Sequence, residues 1–314
     1  MRRRVDAFSV VLRNALLINP RRIPALILNF ILSYVVYLLG ALLFVSNFGD
    51  ALLLVLRRRR EAVLELRNNW GQIRMNVDYF LLWMTLLWRR VIVREFGGKI
   101  FTRYGGGVIL LPSVGYAALL TEPLEELYRV FDVRGKRVLD VGGYLGETAY
   151  LFHKWGAAHV TVYEPDPTLG KFVQLNLRIN RVNGGFRPVF VDACCSSKSV
   201  DWNTVLSEKF DIAKVDCEGC EVHLVDVSDE LLRSVPEWVI ECHRPAVLHK
   251  LGRNFSKAGF SVRFKPYYWG GPLYNLVGKF TSIGDSIPKT TSLTLLYAKY
   301  IVDNSMLSGD KFLK

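Results

Sequence analysis

The sequence predicts an open α/β fold built on a mostly parallel sheet. The main observation is the run RVLDVGGYLGETAYLF at residues 137–152, which is followed by HVTVYEPDP at residues 159–167. Together they show an apolar strand, a glycine turn, a helix and a second strand that ends on an acid, which is half of a nucleotide-binding α/β fold. Strand and helix patterns then continue to alternate as far as residue 242. The 314 residues, half of them hydrophobic, suffice for one large domain and an extension.

The segment before this core contains two hairpin patterns and two helix patterns. In chain order they are a hairpin over 62–76, an amphipathic helix over 78–93, a hairpin over 99–112 and a helix over 121–131. The second hairpin has three consecutive glycines, residues 105–107, at its turn. We interpret residues 61–131 as a lid or substrate-facing subdomain.

The core segment, residues 132–305, alternates strands and helices before a final pair of strands. The predicted strands are 137–141, 160–164, 186–193, 211–216 and 237–242, with helices over 148–155, 168–180 and 243–260. Two further runs, 261–266 and 292–300, are predicted to form a closing antiparallel pair. Residues 306–314 are a tail.

The N-terminal 60 residues differ in composition from the rest of the chain. They contain ten arginines and two aspartates, a net charge of +8, which leaves +4 for the other 254 residues. Between the arginine clusters lies ALILNFILSYVVYLLGALLFV, residues 25–45, which carries no charge. About 20 apolar residues are enough to cross a bilayer as a helix, so we expect residues 1–60 to be a hydrophobic helical extension that anchors the chain. A buried core helix is the alternative.

The glycine spacing of the first turn distinguishes between cofactors. A dinucleotide fingerprint ending on Gly146 would need glycine at position 141, where the chain has Val. The observed pattern, Asp140-x-Gly142-x-x-x-Gly146, is typical of S-adenosylmethionine-dependent methyltransferases. Glu147 begins the next helix, where a pyrophosphate would need unobstructed N–H groups. The positively charged sulfonium and ammonium groups of S-adenosylmethionine would tolerate that carboxylate.

Polar residues end each predicted parallel strand. They are Asp140, Glu164, Asp192, Asp216 and Glu241, with His243 just beyond. Ligands of open parallel sheets bind outside the carboxyl ends of the strands, so we expect these side chains to line one crevice. There Glu164 would accept the ribose hydroxyls and Asp192 would reach the adenine edge, while Gly142 and Gly146 would let the backbone approach the cofactor.

Five strings along the core are together specific enough to indicate a family. VLDVGGYLGETA, VYEPDP, NLRIN, DIAKVDCEGCE and VIECH resemble the FkbM family of S-adenosylmethionine-dependent methyltransferases over about residues 120–265. The string KVDCEGCE is the most specific of them. The stretch between Asp192 and Phe210 is shorter than the strand pair common in that family, and residues 1–60 match nothing in it.

The resemblance implies a fold and a set of site residues. The fold is the class I Rossmann-like methyltransferase fold, a mostly parallel seven-stranded sheet with a closing antiparallel strand. The residues implied to bind S-adenosylmethionine are Asp140, Gly142, Gly146, Glu164 and Asp192, and those nearest the methyl acceptor are Asp216, Glu218 and His243.

Transfer to an oxygen needs a base for the hydroxyl proton. His243, as a neutral imidazole, is our predicted base, and Asp216 and Glu218 are predicted to orient the acceptor. The alternative role for His243 is to cap the helix that begins at Pro245.

The five cysteines follow predicted strands. Cys217-x-x-Cys220 has the spacing of a redox pair or of half a zinc site, but adjacent Cys194 and Cys195 do not supply the other half, so packing is the favoured interpretation. No metal ligand is assigned, although a divalent ion between Asp216, Glu218 and His243 is left open.

The sequence thus predicts a membrane-tethered enzyme that methylates an oxygen of a sugar, lipid headgroup or related small molecule. O-methylation is implied by the family resemblance. Because S-adenosylmethionine is made in the cytosol, the catalytic domain is expected on the cytoplasmic side. A non-catalytic membrane-associated protein of the same fold is the main alternative, followed by a nicotinamide-dependent oxidoreductase. A nucleic-acid acceptor is not expected, because residues 61–314 have only a diffuse positive charge.

Overall fold

The computed structural model describes residues 35, 38–67, 71–76, 80, 93–96, 99–113, 116–117, 120, 122–267 and 293–301. The chain divides into two compact units. The first comprises Met1–Arg90 with Tyr268–Ser292, and the second comprises Val91–Tyr267 with Leu293–Lys314. The boundary at residue 90 falls inside the segment 61–131 that the sequence predicts to be one subdomain.

The described part of the first unit includes helical segments and a hairpin. Helix α1 spans Phe48–Val55, and strands β1 (Glu61–Leu66) and β2 (Gly71–Asn76) pair antiparallel. This confirms the hairpin predicted over 62–76. Buried and exposed side chains alternate along β1, because successive side chains point to opposite faces of a strand.

Only residues 35 and 38–45 of the apolar run 25–45 lie among the described residues, and residues 38–44 are helical. Within the part of the chain that the structure describes, no helix is long and apolar enough to cross a membrane. The predicted span therefore stays a prediction, because most of it lies outside the described residues.

The second unit begins with a small antiparallel sheet. Its strands are β3 (Val93–Phe96), β4 (Lys99–Tyr104) and β5 (Gly107–Leu111), with β4 in the centre. The hairpin predicted over 99–112 is confirmed. The helix predicted over 78–93 is wrong at its last residue, because Val93 begins a strand; apart from Phe80, the rest of that segment lies outside the described residues.

The remaining strands of this unit follow in chain order. They are β6 (Arg137–Val141), β7 (His159–Tyr163), β8 (Gly184–Arg187), β9 (Phe190–Asp192), β10 (Ser199–Asp201), β11 (Ile212–Val215), β12 (Glu237–Cys242), β13 (Phe260–Tyr267) and β14 (Leu293–Tyr300). Seven of them form one sheet in the order β13-β14-β12-β11-β6-β7-β8. Strand β14 runs antiparallel to both its neighbours, and the other pairings are parallel. The mostly parallel seven-stranded sheet with an antiparallel closing strand is confirmed.

The helices of the described part of this unit connect its strands. They are α2 (Leu124–Tyr128), α3 (Glu147–Lys154), α4 (Pro167–Ile179), α5 (Trp202–Ser207), α6 (Asp229–Arg233) and α7 (Pro245–Lys257), with a 3₁₀ helix at Cys220–Asp226. Asp166 caps α4 by accepting the N–H groups of Thr168 and Leu169 at 2.7 and 2.9 Å. Strands β11 and β12 are buried along their whole length, as expected for parallel strands covered on both faces.

The third strand predicted from the sequence, 186–193, is wrong as a single element. It divides at Pro188, which has no N–H to continue the ladder, into β8 of the large sheet and β9. Strand β9 pairs in parallel with β10, which the sequence did not indicate. The carboxyl end of β9 at Asp192 is therefore not a strand end of the large sheet.

The order of the strands reverses between β6 and β11. The chain first adds β7 and β8 on one side of β6 and then adds β11 on its other side, although 70 residues separate β6 from β11 in sequence. A crevice forms at the carboxyl ends of strands at such a switch point. The fold therefore places the turn after β6 opposite the turn after β11.

Candidate functional site

A cavity of about 380 Å³ lies at the carboxyl ends of β6, β7, β11 and β12. Its charged lining among the described residues consists of six carboxylates and one lysine: Glu122, Glu147, Glu164, Asp216, Glu218, Glu241 and Lys214. Leu169, Phe190 and Val191 contribute apolar surface. The cavity is thus strongly acidic, with one apolar wall.

Lys214 connects the two sides of the switch point. Its side chain is almost wholly buried, and Nζ donates a hydrogen bond to the carbonyl oxygen of Gly142 at 2.7 Å. The same nitrogen forms an ion pair with Oδ1 of Asp140 at 3.0 Å and lies 4.0 Å from Oδ2 of Asp216. Burial lowers the pKa of Lys214, but the charges of Asp140 and Asp216 outweigh that effect and raise it.

Lys214 is a site residue that sequence reasoning missed, although it lies within the string KVDCEGCE. The signal was present: a lysine in the middle of an otherwise apolar strand, IAKV, has to find a buried partner. Which partner it finds depends on the pairing of β11 with β6, which sequence periodicity does not specify.

Asp140 lies behind the cavity wall and is not part of the lining. It is fully buried, and its Oδ2 accepts a hydrogen bond from the hydroxyl of Thr148 at 2.6 Å. Its other oxygen faces Lys214. The structure therefore places this predicted cofactor ligand as an internal partner of Lys214 and α3.

Gly142 is required by close packing of the backbone. It has φ +79, and an added Cβ would lie 1.6 Å from the carbonyl oxygen of Asp216. The turns after β6 and β11 therefore touch at this position, and the cavity begins beside it. Gly146 also has positive φ, +80, and is the N-cap of α3, but it is not in the lining.

Glu164, at the end of β7, lines the cavity as predicted. Oε2 accepts the backbone N–H of Tyr144 at 3.0 Å, and Oε1 accepts that of Asp166 at 2.9 Å. Each carboxylate oxygen has a second lone pair, so both can still accept a hydroxyl from a ligand. Burial raises the pKa of Glu164 despite these two hydrogen bonds.

Glu147 occupies the first position of α3 and faces the cavity. Its side chain is buried, and Oε2 accepts the N–H of Leu145 at 3.0 Å. Burial raises the pKa of Glu147 to about 7. A carboxylate therefore occupies the helix N-terminus that would receive a pyrophosphate in a dinucleotide site.

Asp192 is not part of the lining. It ends β9, where its Oδ1 accepts the N–H of Ala193 at 2.7 Å and lies 3.1 Å from Nε2 of His223. The residue of β9 that reaches the cavity with a large side chain is Phe190, which is 55% exposed. The predicted polar contact at this wall is therefore replaced by apolar surface.

Tyr128 links two carboxylates at the ends of β11 and β12. Its hydroxyl lies 2.9 Å from Oδ2 of Asp216 and 3.3 Å from Oε2 of Glu241, and the ring lies under Nζ of Lys214 at 5.5 Å. Burial raises the pKa of Tyr128, and the two carboxylates raise it further. The sequence gave no signal for this contact, which joins residues 88 and 113 positions apart.

His243 lies among three glutamates. Nε2 is 3.2 Å from Oε2 of Glu218 and 3.8 Å from Oε1 of Glu241, and Nδ1 is 3.4 Å from Oε1 of Glu221. The contact with Glu221 raises the pKa of His243 to about 9, against the lowering effect of burial. The surrounding carboxylates therefore favour the protonated imidazole in the ligand-free protein, and the role of His243 as the base stays a prediction. His243 is not in the lining, whereas Asp216 and Glu218 are.

Glu122 and Glu241 are cavity carboxylates to which the sequence analysis gave no specific role. Burial, followed by the charges of Glu241 and Asp216, raises the pKa of Glu122 to about 8. Burial and the charge of Asp216 raise the pKa of Glu241 to about 7. The crowding of carboxylates makes each of them harder to ionise, and a cation bound in the cavity would relieve that cost.

Cys217 and Cys220 form a disulfide across the turn that follows β11, and both line the cavity. The favoured interpretation of these cysteines as simple packing residues is therefore wrong. The C-x-x-C spacing was the signal available in the sequence, but two thiols at this spacing form a disulfide only when the turn brings them together. Cys194, Cys195 and Cys242 are free.

No family model matches the chain, and no curated protein matches it in sequence. Among solved structures, the chain resembles M. jannaschii TYW2 in complex with AdoMet, at 13% identity and a TM-score of 0.40, covering 67% of this chain and 94% of that one. It resembles the ribosomal protein L11 methylase of Lactobacillus delbrueckii subsp. bulgaricus at 14% identity and a TM-score of 0.38, covering 60% and 81%. The O-methyltransferase of Bacillus cereus in complex with SAH has 11% identity and a TM-score of 0.38, covering 57% and 82%. These structural similarities are too weak to assign a function.

Proposed function

We propose that the protein is an S-adenosylmethionine-dependent methyltransferase. The observation that carries this proposal is the charge of the cavity, where six carboxylates face one lysine at the switch point of the sheet. A sulfonium and an ammonium group suit this environment, whereas the pyrophosphate of a nicotinamide cofactor would meet like charges. The cofactor would supply a methyl group on a positively charged sulfur.

The chain's residues divide the cavity into two parts under this proposal. Glu164 would bind the ribose hydroxyls through its remaining lone pairs, and the apolar side chains of Leu169 and Phe190 would pack against the adenine ring. Glu147 would neutralise the positive charge of the donor. Asp216 and Glu218 would orient the acceptor, since they belong to the turn after β11, across the cavity from Glu164 on the other side of β6.

The finer assignments rest on the sequence. Membership of the FkbM family, and with it O-methylation of a sugar, lipid headgroup or related small molecule, rests on the five strings quoted above. The acidic cavity favours such an acceptor over a nucleic acid, whose phosphates would be repelled. Tethering to a membrane rests on the arginine-flanked apolar run, and its cytoplasmic side rests on the cytosolic supply of S-adenosylmethionine.

Calorimetry on the purified full-length chain tests the donor. We expect S-adenosylmethionine to bind and NADH and NADPH to give no heat of binding. Glu164→Gln should weaken S-adenosylmethionine binding at least tenfold, because a charged acceptor of hydroxyl groups is lost. Glu125→Gln, a change at an exposed carboxylate on α2, is the control. Binding of a reduced nicotinamide cofactor in place of S-adenosylmethionine would overturn the proposal.

Transfer of a labelled methyl group tests the reaction. The chain is incubated with methyl-labelled S-adenosylmethionine and with separated lipid, glycan and RNA fractions. We expect label in the lipid or glycan fraction and its loss with Asp216→Asn. Label in RNA would overturn the acceptor assignment while leaving the enzyme class intact. Donor binding without transfer to any fraction would favour the non-catalytic alternative.

A further inference from the structure

We propose that Asp216, Glu241 and His243 bind one divalent cation at the acceptor side of the cavity. The three residues lie at the carboxyl ends of the neighbouring parallel strands β11 and β12. Each offers one ligand atom, and these three atoms lie within 4.8 Å of one another. Small adjustments of rotamer would bring them to the 2.0–2.2 Å bond lengths of a first-row ion.

The exposure of the three side chains suits a catalytic ion. Glu241 is 6% exposed, His243 is 19% exposed and Asp216 is 28% exposed. Three protein ligands leave coordination positions open on one side, and Asp216 connects that side with the cavity. An open position is what a metal needs to bind a substrate oxygen.

Tyr128 holds the two carboxylates in place from behind. Its hydroxyl contacts Oδ2 of Asp216 and Oε2 of Glu241, which leaves Oδ1 of the former and Oε1 of the latter to the ion. Oε1 of Glu241 is also the oxygen nearest to Nε2 of His243, at 3.8 Å. Partners that orient metal ligands in this way are a regular part of metal sites.

The second, independent observation concerns the other ring nitrogen of His243. Nδ1 is buried without a hydrogen-bond partner, although it lies 3.4 Å from Oε1 of the fully buried Glu221. A small rotation of the ring towards an ion at Nε2 would let Nδ1–H donate to Glu221. A carboxylate behind a histidine whose opposite nitrogen binds metal is a recurrent arrangement, and it accounts for this unpaired atom.

The ligand set favours one class of ion. Two carboxylates suit hard cations such as Mg²⁺ and Mn²⁺, and the imidazole favours Mn²⁺ of the two. In the proposed function, on which this role rests, the ion would hold the acceptor hydroxyl and make it more acidic. The acceptor oxygen forms its bond to the methyl carbon as the carbon–sulfur bond breaks, a neutral thioether leaves, and the hydroxyl proton passes through the exposed Glu218 carboxylate to solvent.

Mn²⁺ binding to the metal-stripped full-length chain tests the site without donor or acceptor. Electron paramagnetic resonance of free Mn²⁺ should show one ion bound per chain, and Asp216→Asn, Glu241→Gln and His243→Ala should each weaken binding at least tenfold. His223→Ala is the matched control, because His223 also contacts a carboxylate, Asp192, but lies outside the cluster. Absence of stoichiometric binding, or equal affinity in all variants, would overturn the site.

Two further measurements keep the outcome decisive. The electron-spin-echo spectrum of bound Mn²⁺ should show coupling to ¹⁴N from His243, and its absence in the unaltered chain would overturn the site even if the variants fail to fold. S-adenosylmethionine binding is measured separately on the same samples. Mn²⁺ binding without donor binding would reject the proposed enzyme and retain the cation site. Donor binding without Mn²⁺ binding would reject the cation site and retain the proposed enzyme.

Discussion

At the scale of single residues, the pairing of buried charged side chains determines which of them line the cavity. Lys214 was not singled out from the sequence, yet it contacts the turn after β6 and lies beside Asp140 and Asp216. The sequence indicated that an acid at position 140 matters, but not that its partner would be a lysine of the protein. Contacts of this kind depend on which strands become neighbours, and local patterns do not carry that information.

Lys214→Met should destabilise the folded protein by about 3–5 kcal/mol, because Asp140 would be left as an uncompensated buried charge. Equilibrium unfolding in urea measures the change. The double variant Asp140→Asn with Lys214→Met should recover part of the loss, and Lys209→Met, at an exposed lysine, should change the free energy of unfolding by less than about 0.5 kcal/mol. Equal effects of the two lysine variants would contradict the prediction.

The pKa of Glu122 predicts a pH dependence of stability. The folded state keeps the proton of Glu122 up to a pKa of about 8, whereas the unfolded chain loses it near the ordinary glutamate pKa of 4.5. The folded state therefore binds more protons in that window, and the free energy of unfolding falls as pH rises from about 5 to 8. Glu147 and Glu241 act in the same direction.

Glu122→Gln should reduce this fall, because the amide has no proton to lose. Thermal unfolding of the ligand-free chain at a series of pH values between 5 and 8.5 measures it. Glu126→Gln, a change at an exposed carboxylate on α2, should leave the pH profile unchanged. A wild-type melting temperature that rises over this range would contradict the assignment.

At the scale of elements, the site is formed by two turns that touch. The turn after β6 has the glycines that the sequence predicted, but Gly142 is needed for the backbone of the turn after β11 as much as for any cofactor. The second turn contains Asp216, the Cys217–Cys220 disulfide and Glu218, which has φ +57. The register of β6 against β11 brings the two turns together.

Gly142→Ala should prevent normal folding or cost several kcal/mol, because its Cβ would overlap the carbonyl oxygen of Asp216. Gly135→Ala is the matched control, since Gly135 also has positive φ, +71, but has nothing within 4 Å of an added Cβ. Its cost should be limited to backbone strain of about 1 kcal/mol. Urea unfolding of both variants gives the comparison, and a Gly142 variant as stable as the Gly135 variant would refute the steric argument.

Reduction of the disulfide should lower the free energy of unfolding by about 2 kcal/mol, the value expected for so short a closed loop. Urea unfolding with and without dithiothreitol measures the difference. The double variant Cys217→Ser with Cys220→Ser should show the lower stability and no response to the reductant. The double variant Cys194→Ser with Cys195→Ser should respond as the unaltered chain does, since both residues are free thiols.

At the scale of the whole molecule, the chain combines an α/β unit with an N-terminal region of different character. The large unit follows from its sequence, because alternating strand and helix patterns leave few ways of forming one sheet. Residues 1–60 carry most of the net charge and the apolar run 25–45. The prediction of membrane attachment rests on that composition alone.

We expect the full-length chain to remain with membranes after an alkaline carbonate wash. Leu28→Arg with Leu32→Arg should release it, because two charges within the apolar run make insertion of a helix unfavourable. Leu175→Arg with Ile179→Arg makes the same change at two exposed residues of α4 and should leave the chain in the membrane fraction. Membrane fractionation compares the three proteins. Recovery of the unaltered chain in the supernatant would reject the anchor.

By itself, the sequence determined the five parallel strands' approximate positions apart from the break at Pro188, the glycine turn after β6 and the acidic character of the strand ends, because each of these depends on neighbours within a few residues. Only the tertiary structure decided which acids face the cavity. Glu164 and Asp216 do so, whereas Asp140 is paired with Lys214 behind the wall and Asp192 is paired with His223 away from it. The physical reason is that these acids pair with residues tens of positions away in the chain: the pairing of β6 with β11 brings Lys214 to the buried Asp140, and the 3₁₀ helix at Cys220–Asp226 brings His223 to the half-exposed Asp192.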